Sequence, residues 1–243
     1  MVALFALRLQ FAVPWWWYLA PVVVYVAVCA AFSFVMQAQF FLPAICRGIN
    51  TGKRIAITFD DGPMAGPTDR LLDILEKYKI KSAFFCIGAH IARNKNLLRR
   101  IAGSGHVIGN HSYSHKPTFG FMSRGEVARE LDATDRQIEE ITGRRPRFFR
   151  PPFGVTNPMI AQAVEAGGYK TIGWSVRSFD TIIKDADKLL KRVTKPLAAG
   201  DIVLFHDYSD SMLDILPRFI EFARRTGFEI VPLDELLKED AYR

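Results

Sequence analysis

The sequence predicts an α/β fold of about seven parallel strands, preceded by an N-terminal membrane-spanning helix. Three observations predict it. From Lys53 onward, apolar runs of strand length alternate with segments of helical periodicity. Those runs are continuously apolar, as in strands covered on both faces. No Asp, Glu, Lys or Arg occurs from Leu9 to Cys46, and all 25 acidic residues lie beyond that stretch. The chain has 243 residues, and the part after Cys46 is long enough to bury a substantial core by itself.

Val22 to Leu42 would span roughly 31 Å as a helix, about the hydrocarbon thickness of a bilayer. Pro21 stands where a helix can begin, and Trp15, Trp16, Trp17 and Tyr18 precede it as interfacial aromatics do. Pro43 and Arg47 close the other end. Residues 1–46 thus read as an anchor with its helix at about 22–42, and residues 47–243 as one folded domain. Two competitors remain. A cleaved signal peptide would use Val28, Cys29 and Ala30 as a weak cleavage-like site. A helical hairpin would use the whole uncharged stretch. The amino terminus and Arg8 flank one side, and Arg47, Lys53 and Arg54 the other. This one-charge bias favours a cytoplasmic domain.

In the domain, Arg54–Phe59 reads as a strand ending in the turn Asp61, Gly62, Pro63. Thr68 can cap a helix carrying Leu71, Leu72, Leu75 and Tyr78. Ser82–Ile87 is a second strand, and a helix follows around Asn94–Ala102. His106–Gly109 is a short strand. Ser123 and Glu126 form a capping box that starts the longest helix, which Gly143 ends. Arg147–Arg150 is a strand, Asn157 and Pro158 open a helix, and Tyr169–Val176 is strand-like. Asp187–Val193 reads as helix, Asp201–His206 as a very apolar strand, Ser211–Arg225 as helix and Phe228–Pro232 as the last strand. An open doubly wound sheet fits this pattern as well as a closed barrel.

The net charge of +7 is scattered, with no basic run. Nucleic-acid binding is therefore unsupported, whereas an anionic membrane surface or cell-wall polymer suits the charge. Three cysteines, Cys29, Cys46 and Cys86, with no Cys-x-x-Cys, argue against a disulfide framework and against a cysteine-rich zinc site. They read as buried free thiols. His90 and His106 read as structural.

Reactive residues of parallel βα folds gather at the carboxyl ends of the strands. There the sequence places Asp60 and Asp61, His111 and His115, Arg150, Asp180 and His206. Each alone has a plainer reading: a turn, two solvated histidines, a hydrogen-bonded strand end. Their convergence is what points to chemistry. Two histidines and one aspartate can supply three ligands and leave positions open for water and substrate, while the second aspartate acts as base.

Thr58–Pro63 and His111–His115 resemble the first two motifs of the polysaccharide deacetylase family, also called carbohydrate esterase family 4 or the NodB homology domain. The resemblance covers about residues 53–240. It implies a distorted (β/α) barrel with a divalent metal, usually Zn2+, with Co2+, Fe2+ or Ni2+ as alternatives. It implies Asp60 as base, Asp61, His111 and His115 as metal ligands, and Arg150 as the residue orienting Asp60. It further implies the Phe153 backbone N–H as an oxyanion donor, Leu204 as acyl-pocket lining and His206 as acid. Tyr113 and Trp174 are candidates for touching substrate. The fourth motif departs: the family has Asp-x-x-Asp followed by an aromatic, and Arg177, Ser178, Phe179, Asp180 and Thr181 stand here. Asp180 would partner Arg150 or His206. The implied partner is an N-acylated glycan, reached by a membrane-anchored domain on the extracytoplasmic side. Removal of a formyl, an O-acetyl ester or an acyl group on a lipid-linked sugar are alternatives. So is a non-catalytic carbohydrate-binding protein.

Overall fold

The strand Arg54–Asp60 (β1) is the axis about which the other elements are arranged. A computed structural model describes residues 14–49 and 52–243; Arg8 lies outside the described residues. The remaining strands are Ala83–Cys86 (β2), Val107–Asn110 (β3), Phe148–Phe149 (β4), Lys170–Thr171 (β5), Val176–Arg177 (β6), Ile202–His206 (β7) and Glu229–Ile230 (β8). They form one curled parallel sheet in the order β5-β4-β3-β2-β1-β7-β6, with β8 beside the start of β1. The register aligns Asp60 with Phe85 on one side and with His206 on the other, and aligns Asn110 with Phe149. This brings the carboxyl ends of β1, β3, β4 and β7 to one edge.

Strand alternation divides the core. Ile55, Ile57 and Phe59 face the outer helices Pro67–Lys77 (α2), Lys95–Gly103 (α4) and Asp210–Arg225 (α8). Ala56, with Ala83, Phe85 and Phe148, faces the interior of the half-barrel. Met212, Leu216, Phe219, Ile220 and Ala223 give α8 its buried stripe at helical spacing. Each buried Phe or Leu of this kind contributes roughly 1.5–3 kcal/mol of transfer free energy. The helix Arg124–Thr142 (α5) begins and ends as expected. Ser123 N–H donates to Glu126 at 2.8 Å, and Gly143 closes the helix at φ 67°. Pro158–Ala166 (α6) and Ala186–Thr194 (α7) also fall where the pattern puts them. The short helix Leu233–Leu237 (α9) has no counterpart in the sequence reading.

Four elements differ from expectation. The N-terminal helix (α1) is Leu19–Ser33, preceded by a 3-10 turn at Trp15–Tyr18, so Pro21 sits inside its first turn. Together these 19 residues measure about 30 Å. Trp16–Ser33 is long and apolar enough to cross a membrane, and none of it is buried in the protein. The second half of the expected 22–42 helix instead docks on the domain: Met36 and Leu42 are buried there, as is Ala44 just beyond. Hydropathy cannot separate side chains bound for lipid from side chains bound for a protein core. Further on, α4 is the helix expected at Asn94–Ala102, and an unforeseen short helix, Gly88–Arg93 (α3), precedes it; the two meet where Asn94 Nδ2 donates to the Pro63 and His90 carbonyls. The cap of α2 is Gly66, while Thr68 is fully buried and serves Asp207.

The fourth difference concerns Tyr169–Val176, which splits into β5 and β6. Arg150 explains it: its Nε and Nη2 take the carbonyls of Ile172 and Gly173 at 3.1 and 2.8 Å, so these are not free for a ladder. Residues 45–48 fill the resulting opening. Ile45 bridges to Ile172, and Arg47 bridges to Asp201, reinforced by a 2.7 Å ion pair.

Candidate active site

Thr58 and Asp60 share the inner face of β1, and both receive Arg150. Its Nη1 lies 2.8 Å from Thr58 Oγ1 and 2.7 Å from Asp60 Oδ1. Arg150 is fully buried and stacks on the Phe85 ring at 4.1 Å. Its donors thus meet two carbonyls, a hydroxyl and a carboxylate, which compensates the removal of its charge from water.

Asp61 would point away from Asp60 on a regular strand. A left-handed backbone at φ 77° returns it to the same cavity. Ser112, His115, Phe153 and Phe179 are also left-handed, so five of the eight such non-glycine residues among the described residues lie at this site. This concentration of backbone strain is typical of functional loops. Gly62 follows because a Cβ there would stand 1.7 Å from the Asp207 carboxylate.

His111 and His115 extend from β3. Asp61 Oδ1 is 3.3 Å from Nε2 of each, and the three candidate ligand atoms lie within 4.8 Å of one another. Ligand atoms about 2.0–2.1 Å from a tetrahedral zinc stand about 3.4 Å apart, so the donor set fits a divalent cation. The tautomer fits too. His111 Nδ1 donates to the Arg150 carbonyl at 2.7 Å, so the neutral ring would offer its Nε2 lone pair to a cation; burial opposes the charged ring, but the Asp60 and Asp61 carboxylates raise the His111 pKa above its ordinary value. Burial and the neighbouring His111 push His115 down to about 4, so it is neutral at pH 7, the ligating form. Burial opposes ionisation of Asp61, but the hydrogen bond and charge of His111, with smaller contributions from His115 and His206, outweigh it and hold the carboxyl at about 2.

Glu130 and Asn110 hold the loop between the histidines. Glu130 Oε2 accepts from Tyr113 N, Ser114 N and Ser114 Oγ at 3.0, 2.7 and 2.9 Å. Asn110 Oδ1 accepts from Ser112 N at 2.9 Å. The Tyr113 carbonyl accepts from Ala89 at 2.9 Å, and the Tyr113 ring packs on Gly88; Tyr113 is not among the residues that line the cleft.

Asp180 partners His206 rather than Arg150. Its two oxygens take His206 Nδ1 at 2.8 Å and His206 N at 2.9 Å. Burial alone would lower the His206 pKa, yet the Asp180 carboxylate raises it above the ordinary value. Phe153, Trp174 and Leu204 line the cleft with Arg177, Phe179 and Thr181, around a cavity of about 180 Å³. The Phe153 ring lies 4.6 Å from that of His115.

The back of this wall comes from the segment after α1. Met36, Ala44 and Cys46 pack on Trp174 and Leu204. Gln37 Nε2 donates to the Trp174 carbonyl at 3.1 Å, and Thr156 N donates to the last carbonyl of α1, Ser33, at 2.9 Å. The sequence reading missed this segment, and it missed Glu130 and Asp207. Asp207 is buried beneath the Gly62 turn, accepts from Thr68 at 2.7 Å, and is pushed up to about 7 by burial. His90 and His106 are structural, as expected: His90 Nδ1 meets the Asp61 carbonyl at 2.6 Å and His106 Nδ1 accepts from Ser82 N at 3.1 Å. All three cysteines are free thiols.

Fold and donor set define the class: an α/β protein with a candidate metal centre at the carboxyl edge of a parallel half-barrel. The chain belongs to the polysaccharide deacetylase family, whose model matches residues 47–172. The peptidoglycan-N-acetylglucosamine deacetylase PgdA of Listeria monocytogenes is 34% identical over 189 residues, 78% of this chain. This chain spans 40% of that protein's length. The peptidoglycan-N-acetylmuramic acid deacetylase PdaA of Bacillus subtilis is 30% identical over 195 residues, 79% of this chain and 74% of PdaA. Among solved structures, the Bc1960 peptidoglycan N-acetylglucosamine deacetylase matches with TM-score 0.78 and 27% identity over 82% of this chain and 95% of that one. BA3943 of Bacillus anthracis, described as a family pseudoenzyme, matches with TM-score 0.75 and 29% identity over 80% of this chain and 68% of that one.

Proposed function

We propose that this protein is a metal-dependent hydrolase that removes N-acetyl groups from amino sugars of a cell-envelope glycan, of the peptidoglycan kind its named relatives act on. One observation carries the reading: Asp60, held by Arg150, the Asp61–His111–His115 cluster, and His206, held by Asp180, all border one cleft. Residues 47–243 form the catalytic domain, and α1 anchors it in a membrane with the domain on the extracytoplasmic side.

Held by Asp61, His111 and His115, a divalent cation, Zn2+ by preference for this nitrogen and oxygen donor set, supplies Lewis acidity toward water and the acyl carbonyl. Asp60 takes the proton of the attacking water on Oδ2, since Oδ1 is occupied by Arg150. As the water oxygen bonds the acyl carbon, the Phe153 backbone N–H donates to the carbonyl oxygen, which gains charge. His206 holds Nδ1–H against Asp180 and gives the Nε2 proton to the sugar nitrogen as the C–N bond breaks. Acetate and a free amine leave. Leu204 and Trp174 receive the acyl methyl.

Incubation of the zinc-loaded protein with a panel of acylated glycans tests this. Acetate release that a chelator abolishes and added metal restores is the expected result. Release of formate, or of acetate only from esters, would correct the acyl group. No release with metal bound would overturn the reading.

A further inference from the structure

Arg177 ends β6 on the cleft wall, at the position where the family pattern has an aspartate. Its guanidinium lies 5.4 Å from the Trp174 ring and 4.7 Å from the Phe179 ring. The same Phe179 ring carries a second guanidinium, Arg192, at 4.3 Å. Phe179 reaches this place through its left-handed backbone at φ 59°, which lets Asp180 turn inward to His206 while the ring turns out.

Among the described residues, nothing completes this arrangement. Arg177 Nε is buried with no hydrogen-bond acceptor. The carboxylate that acts on Arg177, Asp60, is committed to Arg150 at 2.7 Å. Burial and the like charge of Arg192 both disfavour the Arg177 cation. The exposed side of α7 beside Arg192 adds Lys188, Lys191 and Lys195. A buried donor without a partner is costly, and two cations over one ring repel. An incoming anion at the cleft-facing side of Arg177 relieves the repulsion. A guanidinium positioned over aromatic rings is suited to a two-oxygen acceptor.

We propose that Arg177 is the specificity-determining residue of the cleft and binds an anionic group, a carboxylate or a phosphate, carried on the amino sugar that is deacylated. The inference rests on the deacylase reading above and narrows its substrate. Two sources share the chemistry. A sugar bearing a lactyl ether offers a carboxylate, and a lipid-linked sugar offers a phosphate.

The test uses the full chain in detergent, zinc-loaded, with three substrates. They are a neutral N-acetylglucosamine oligomer, an oligomer with N-acetylmuramic acid, and N-acetylglucosamine linked through phosphate to a short polyprenol. The wild type should prefer one anionic substrate by about 10–100-fold in kcat/KM, mostly through KM. Arg177→Met should bring that ratio near one, and Arg177→Lys should keep part of it. Which anionic substrate shows the effect identifies the source. A merely structural Arg177 would depress all substrates in proportion and leave the ratio standing. That result, or a wild-type ratio near one, overturns the proposal. Calorimetric binding of the same three glycans is the second arm. Absence of acyl release from any substrate sinks the deacylase reading, and binding then decides the inference separately. Tighter binding of an anionic glycan, lost in Arg177→Met, supports it, and equal binding overturns it.

Discussion

The two walls of the cleft are built on opposite principles. The wall carrying Asp60, Asp61, His111 and Arg150 hangs from the ends of β1, β3 and β4, and its groups bind one another. Arg150 alone makes four hydrogen bonds. The facing wall of Trp174, Arg177 and Phe179 is held by guanidinium–ring contacts, carries an unsatisfied Arg177 Nε, and leans on the segment after α1. The difference teaches a division of labour. Groups that must keep one geometry through a reaction are locked by mutual hydrogen bonds. On the proposal above, the group that meets a partner from outside is left less tightly paired.

Breaking the His206–Asp180 pair should have the larger effect. Asp180→Asn removes the charge that holds the His206 imidazolium, and burial then lowers its pKa. The sign follows: the raised pKa keeps the acid protonated to higher pH, so the variant's basic limb of kcat/KM should move to lower pH. Turnover near neutrality should fall on the order of 100-fold. A pH–rate profile checks this, and an unmoved limb would detach His206 from Asp180 functionally.

A smaller effect sharpens the account of the facing wall. Met36 is 2% exposed and lies against Gly173 and Gly154 behind Trp174. Met36→Ala should cost about 2–5 kcal/mol in denaturant unfolding. It should also lower kcat a few-fold as Trp174 shifts. A segment acting only as a linker would leave both unchanged.

What was legible in the sequence follows the same division. Asp60, Asp61, His111, His115, Arg150 and His206 stand at strand ends, where polar residues cannot be core and so declare themselves. The Ser123–Glu126 box and Gly143 marked α5 because caps are local. Glu130 stayed hidden because a charged residue on an amphipathic helix reads as solvent-facing, although it fixes the loop of both histidines. Asp207 stayed hidden because burial is a tertiary property. The docking of Met36, Leu42 and Ala44 was invisible for a related reason: the apolar stretch is continuous in sequence, and only the domain surface divides it at Ser33. The split of β5 and β6 depends on where Arg150 sends its donors, from 20 residues or more away in the chain.

The central claim is the division of roles between the adjacent aspartates, and metal stoichiometry with turnover in two variants tests it most directly. Asp60→Asn should retain one metal per chain and lose turnover by about 100-fold or more. Asp61→Asn should lose the metal, because Asp61 Oδ1 is the oxygen 3.3 Å from both histidines. Loss of metal in Asp60→Asn with retention in Asp61→Asn would contradict the account.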